Sequence, residues 1–207
     1  MNEQSLFQIL LHSWFALSAV VFFALLFISA PYGRHGRSGW GPQVPGRLGW
    51  IIMELPAVLV IAACYLLAPR TPKTVELIFL GMWQVHYLYR ALIYPFRLRS
   101  GSQRSMPLMV ALMGVVFNGG NGYLNGRFLT ALSPGHDLSW LIDPRFLVGV
   151  ALFFVGLAIN HHSDHVLLNL RKPGETGYKV PTGGAYRWVS CPNYMGELLE
   201  WTGWAVA

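Results

Sequence analysis

Glu54 and Tyr87 are the two residues of this chain best placed for chemistry, because each stands inside a long apolar stretch. An ionisable group there is costly to keep from water, so it faces a bundle interior or a cavity and is by default a functional-site candidate. Glu54 precedes Leu55-Pro56, and a proline within a helix bends it and frees a backbone carbonyl. Two readings of Glu54 stay open: a carboxyl paired with Arg90 for assembly alone, or a buried carboxyl acting beside a reacting group. The run His86-Tyr87-Leu88-Tyr89-Arg90 also has two readings. One is an interfacial aromatic belt with a snorkelling arginine. The other is a phenol in a dry site, oriented by Glu54, that hydrogen-bonds a substrate carbonyl and stabilises an enolate as charge develops.

A second polar set lies towards the C-terminus. Asn160, Asp164 and Arg171 are spaced by four and seven, and Asn193 and Glu197 by four, with Glu200 following. Such spacing puts each group on one helical face. His161 and His165 are one turn apart, but with no second histidine cluster a metal site is not expected. Asp164 and Asn160 suit hydrogen bonding to a polar ligand. Arg171-Lys172-Pro173-Gly174-Glu175 reads as a basic loop or as a phosphate site, since arginine offers oxygens a bidentate fork. Gly183-Gly184 makes a turn or lets backbone amides approach an anion. No Rossmann fingerprint, Walker A loop or serine nucleophile elbow occurs in the sequence, so a nucleotide would bind between helices.

The elements that position these groups are membrane spans. The chain has 207 residues, 54% apolar and 12% charged, against roughly 25% charged in soluble domains. Mean hydropathy is +0.42. Six stretches, Leu6–Ala30, Trp50–Ala68, Val75–Tyr94, Met106–Leu124, Phe146–Leu170 and Tyr194 onward, predict an all-α polytopic bundle in a single domain over residues 1–207. About 20 residues are needed to cross a bilayer core. The last stretch has fourteen to Ala207, so either the protein continues or this segment does not span. The first stretch lacks the basic start and small-residue cleavage pattern of a signal peptide.

Net charge is +6, but the basic residues are dispersed in loops and no nucleic-acid motif is present. Loops 31–47, 95–105 and 171–192 carry three, three and four Lys or Arg, against Arg70, Lys73, Arg127 and Arg145 on the other side. By the positive-inside rule the N-terminus lies outside and the polar residues face the cytoplasm, across a bacterial inner membrane or an ER membrane.

In order, the motifs resemble the steroid 5α-reductase family, the integral-membrane NADPH-dependent reductases of 3-oxo-steroids, here in a bacterial homologue. Tyr32-Gly33-Arg34-His35, Glu54-Leu55-Pro56 and His86–Arg90 match its N-terminal half. Asn160–Asp164 through Leu170–Glu175 matches its cofactor region, and Gly183–Trp201 is the most specific segment. The resemblance covers roughly residues 30 to 207. It implies a seven-helix bundle in which hydride from NADPH goes to C5 of a Δ4-3-oxo-steroid, so that a final helix and basic tail would follow Ala207.

The same resemblance implies that Tyr87 donates to the C3 carbonyl and that Glu54 supports it. Asn160, Asp164, Arg171, Tyr178, Asn193 and Glu197 would hold NADPH, with Tyr32, Tyr94, Arg97 and Asn121 near the cofactor. Met53 stands where many relatives have Gln, and would line the substrate. The expected partners are a lipophilic enone entering from the bilayer and membrane lipid, with no nucleic acid and no obligate protein. The rival readings are an enoyl-CoA or polyprenol reductase of the same fold, a membrane methyltransferase using S-adenosylmethionine, and a transporter.

Overall fold

The computed structural model describes residues 2–31, 35, 39–98, 105–172, 175, 177 and 179–207. Among the described residues the protein is all-α apart from one two-residue strand pair, and three helices are long and apolar enough to cross a membrane. Two compact units are distinguished, Met1–Gly135 and His136–Ala207.

In the first unit, α1 (Glu3–Phe27) starts at Asn2, whose side chain accepts from the Ser5 N–H. Phe7 is its only buried residue, as suits a helix that is apolar all round. α2 (Gly46–Leu66) and α5 (Leu108–Arg127) form the main packing pair. Pro56 inside α2 has no N–H to give, which frees the Ile52 carbonyl in the turn that carries Glu54. The fourth apolar stretch starts two residues later than expected. Met106-Pro107 is instead β2, antiparallel to β1 (Gln43-Val44), and Pro107 is the residue from which α5 starts.

α3 (Thr74–Leu88) begins where the Glu76 carboxylate accepts from the Lys73 N–H at 2.7 Å. Glu76 is fully buried and takes two bonds from Arg70, at 2.9 and 2.6 Å. The third stretch is not one α-helix. It widens into a π-turn at Tyr89–Ile93, closed by the Tyr94 N–H on the Tyr89 carbonyl, and ends as α4 (Tyr94–Arg97). α5 likewise runs into a π-turn at Phe128–Leu132.

The second unit is a helix pair. A 3-10 turn at Leu138–Ile142 leads to α6 (Pro144–Leu168), which is capped by Asp143 accepting from the Arg145 N–H. A second 3-10 turn, Gly184–Arg187, precedes α7 (Pro192–Val206). Arg171 lies beyond α6, not on one face with Asn160 and Asp164 as its spacing predicts. The helix ends at Asn169, whose backbone leaves helical geometry (φ −101°, ψ 4°) and whose Nδ2 also bonds the His165 carbonyl, and Pro173 further on disfavours continuation.

Candidate active site

Glu54 and Tyr87 are both buried, at 7% and 5% exposure, so neither side chain is turned out to lipid. Asn118 and Arg90 both reach Glu54. Asn118 Nδ2 donates to its Oε2 at 3.1 Å, and Arg90 Nη2 stands 3.6 Å from its Oε1. Asn118 is itself anchored, because the same Nδ2 donates to the Met53 carbonyl at 2.7 Å. Arg90 is placed by the π-turn, and its guanidinium lies 4.6 Å from the Trp50 ring centre and 5.0 Å from that of Tyr94. Each such contact is worth about 0.5 kcal/mol when exposed and about 2 when desolvated. The pairing with Arg90 that an assembly role requires is present. The amide of Asn118 adds a second fixed donor, which an ion pair alone does not need.

Tyr87 packs between Trp83 and His86, each 4.8 Å away between ring centres. Trp83 is fixed in turn, its Nε1–H donating to the Ala57 carbonyl at 3.0 Å. This bond locks α3 to α2 one turn beyond Glu54. Of the other residues singled out in this unit, Met53 is half-buried and packs its side chain where Gly114 leaves space. Arg97 donates to the Tyr89 hydroxyl at 2.5 Å. Asn121 accepts from Asn125 Nδ2 at 3.0 Å. Tyr32 lies outside the described residues.

In the second unit, Asn160 and Asp164 are buried at 1% and 2% exposure. Asn160 Nδ2 donates to the Asn193 carbonyl at 3.0 Å and to Glu197 Oε1 at 3.3 Å. Four of the residues singled out from the sequence therefore fall on the facing sides of α6 and α7, three of them in direct hydrogen bonds. Asn160 Oδ1 is buried and has no donor. Glycine makes this approach possible. A Cβ at Gly156 would strike the Glu200 N–H and Gly196 carbonyl, and one at Gly196 would strike Asn160. Arg171 is half-buried just past α6, and Tyr178 lies outside the described residues.

Two residues escaped the sequence reading. Asn118 is a polar group in an apolar stretch, the signal that found Glu54, but it sits beside Gly119-Gly120. Tyr186 lies on the 3-10 turn and donates to the Ser163 carbonyl at 3.4 Å. Burial first, and then the Asp164 carboxylate, push its phenol up to about 12, so it stays a neutral donor at physiological pH. No local pattern announces it, because the contact joins a loop to a helix. Among the described residues no cluster of histidine, cysteine and carboxylate side chains could hold a metal ion.

Residues 104–207 match the family model described as 3-oxo-5-alpha-steroid 4-dehydrogenase. The chain is 43% identical over 209 residues to 3-oxo-5-alpha-steroid 4-dehydrogenase 1 of Bos taurus, covering 99% of this chain and 80% of that protein. It is 42% identical over 207 residues to the human protein of the same name, covering 99% and 79%. To the steroid 5-alpha-reductase DET2 of Gossypium hirsutum it is 37% identical over 207 residues, covering 99% and 80%. With identity of this degree spread over both units, the chain belongs to the 3-oxo-5-alpha-steroid 4-dehydrogenase family.

Proposed function

We propose that this protein reduces the Δ4 double bond of a 3-oxo-steroid with NADPH, as a single reductase domain in a membrane. The carrying observation is the buried Glu54 held by Asn118 and Arg90, in a chain whose relatives bear the names of steroid reductases. The orphaned Asn160 Oδ1 supports a cofactor in the second unit, since an amide or ribose hydroxyl would give that buried acceptor its missing donor. Asn160, Asp164, Arg171, Tyr178, Asn193 and Glu197 would hold the nucleotide, Arg171 through phosphate, and Tyr32, Tyr94, Arg97 and Asn121 contribute from the first unit. NADPH supplies the hydride that goes to C5.

Addition at C5 sends negative charge through C4 to the C3 oxygen. Tyr87 donates a hydrogen bond to that oxygen, and Glu54 supports the phenol. A donor already aimed at developing charge in a dry site is worth about 3–4 kcal/mol. Trp83, His86 and the α2–α3 lock keep Tyr87 from wandering, so little reorganisation is needed as the charge forms. The enolate then takes a proton at C4 from water. Met53 lines the apolar side of the substrate site, and the substrate enters from the bilayer. The count of basic loop residues supports an N-terminus outside and a site facing the cytoplasm.

NADPH oxidation by the full chain in lipid nanodiscs, with testosterone, progesterone and an enoyl-CoA assayed side by side, tests this reading. Turnover with a steroid and none with the thioester is the expected result. Turnover with the thioester alone would move the substrate assignment to enoyl-CoA, and binding of S-adenosylmethionine without NADPH oxidation would overturn the reaction.

A further inference from the structure

One face of α6 has no part in that reaction. Leu147, Val148, Phe154 and Val155 are exposed along it, and Ala158 and His162 continue the stripe at helical spacing. Two residues turn a helix by 200°, so Ala158 and His162 point away from Asn160 and Asp164. Where the stripe changes from apolar to imidazole, the 3-10 turn and Trp188 stand beside it. Between them lies an open cavity of about 530 Å³, with Ala158, Ile159, His162, Gly184, Arg187 and Trp188 in its wall.

This groove is built by specific contacts. Gly183 and Gly184 have φ of 96° and 51°, backbone that favours glycine. A Cβ on Gly184 would come within 2.6 Å of His162 Nε2. Tyr186 pins the turn by its bond to Ser163. Arg187 has no carboxylate partner among the described residues, and the imidazole of His162 makes no hydrogen bond there. Trp188 is 82% exposed, an indole that packs in no core.

We infer that this groove binds one anionic phospholipid. Its phosphate meets Arg187 and His162, an acyl chain follows the Phe154–Val155 stripe, and Trp188 lies at headgroup level, where indoles concentrate in membranes. Only an amphipathic anion satisfies both ends. A nucleotide leaves the stripe bare, and a neutral steroid gives Arg187 no oxygens to fork. The inference rests on α6 being a membrane span, and not on the reduction chemistry.

Native mass spectrometry of the full chain released from nanodiscs of equal phosphatidylglycerol and phosphatidylcholine tests it, with bound lipid as the readout. The wild type should retain one phosphatidylglycerol in preference. Arg187→Gln should lower that preference about five-fold, the ratio expected for one basic residue at an anionic surface. Trp188→Ala should lower retention of both lipids. Arg145→Gln, at the other end of α6 and paired with Asp143, should leave the preference unchanged. An unaltered preference in Arg187→Gln would sink the proposal. Displacement of the bound lipid by NADP⁺, mole for mole, would also overturn it and assign the groove to the nucleotide.

Discussion

Helices α2 and α5 in the first unit and α6 and α7 in the second meet the same packing problem with opposite devices. On α6 and α7 the glycines face each other, Gly149 against Gly203 and Gly156 against Gly196. Each pair is seven residues along from the next, so the two backbones touch for two turns. Small residues at such seams let membrane helices approach closely. Between α2 and α5 the glycines that meet the partner helix are those of α5, while Gly49 of α2 meets Met106 of β2. Gly114 and Gly126 take up the side chains of Met53 and Cys64 from α2. Across the backbone seam Asn160 reaches a backbone group and a side chain of α7, the Asn193 carbonyl and Glu197 Oε1. Across the side-chain seam Asn118 makes the same kind of pair on α2, with the Met53 carbonyl and Glu54 Oε2.

The largest expected effect breaks the backbone seam. Gly156→Leu has nowhere to place even its Cβ, because the obstacles are the Glu200 and Gly196 backbones. It should cost about 3 kcal/mol or more, at or above the usual range for overpacking, with loss of NADPH binding and a lower midpoint in thermal unfolding in detergent. Gly114→Ala meets Met53 side-chain atoms, Cγ first, and no backbone atom among its nearest neighbours, so Met53 must change rotamer and the midpoint should fall, by less than in Gly156→Leu. Equal midpoints for the two variants would remove the distinction between the seams.

Next in size is chemistry confined to the first unit. Glu54→Gln and Tyr87→Phe should each lower kcat about 10²- to 10³-fold, the usual cost of losing one preorganised donor. The dissociation constant of NADPH, measured by fluorescence titration, should stay within two-fold. Wild-type rates in both variants would leave Glu54 with the assembly role its pairing with Arg90 allows. The reverse pattern belongs to the second unit. Arg171→Ala should raise the NADPH dissociation constant about ten-fold or more, since hydrogen bonds to charged groups contribute roughly 1.5–3 kcal/mol. Its kcat at saturating NADPH should change far less.

The same contrast explains what the sequence could and could not disclose. Apolar run lengths located α1, α2, α5, α6 and α7 to within four residues but overran the end of α3 by six, and the polar interruptions pointed to Glu54, Asn160 and Asp164, all of them buried. The π-turns at Tyr89–Ile93 and Phe128–Leu132 were invisible, because one extra residue per turn changes no composition. Yet the first of them aims Arg90. Asn118 and Asn121 are three residues apart on similar faces of one helix, and only the rotation of α5 against α2 decides which reaches Glu54. That rotation is set by where Met53 and Cys64 seat on the α5 glycines, a tertiary fact. Arg171 misled for a local reason, since spacing by seven implies a shared face only while the helix continues, and Asn169 stops it.

The smallest effect is also the sharpest test of the side-chain seam. Asn118→Leu removes the bonds to Glu54 Oε2 and to the Met53 carbonyl while keeping a side chain of similar size. Glu54 then keeps Arg90 as a neighbour but loses the donor that fixes its second oxygen. The lost hydrogen bond, held to about 1 kcal/mol net because Arg90 still offsets the carboxylate charge, predicts a fall in kcat of about five-fold with NADPH affinity unchanged. A general loss of packing would lower kcat equally in any background, so the deciding measurement is the double variant. If Asn118 acts by positioning the carboxylate, Asn118→Leu should cost almost nothing further once Glu54→Gln is present, because residues in one network are not additive. A full five-fold loss in the double variant would show that Asn118 merely holds α5 against α2.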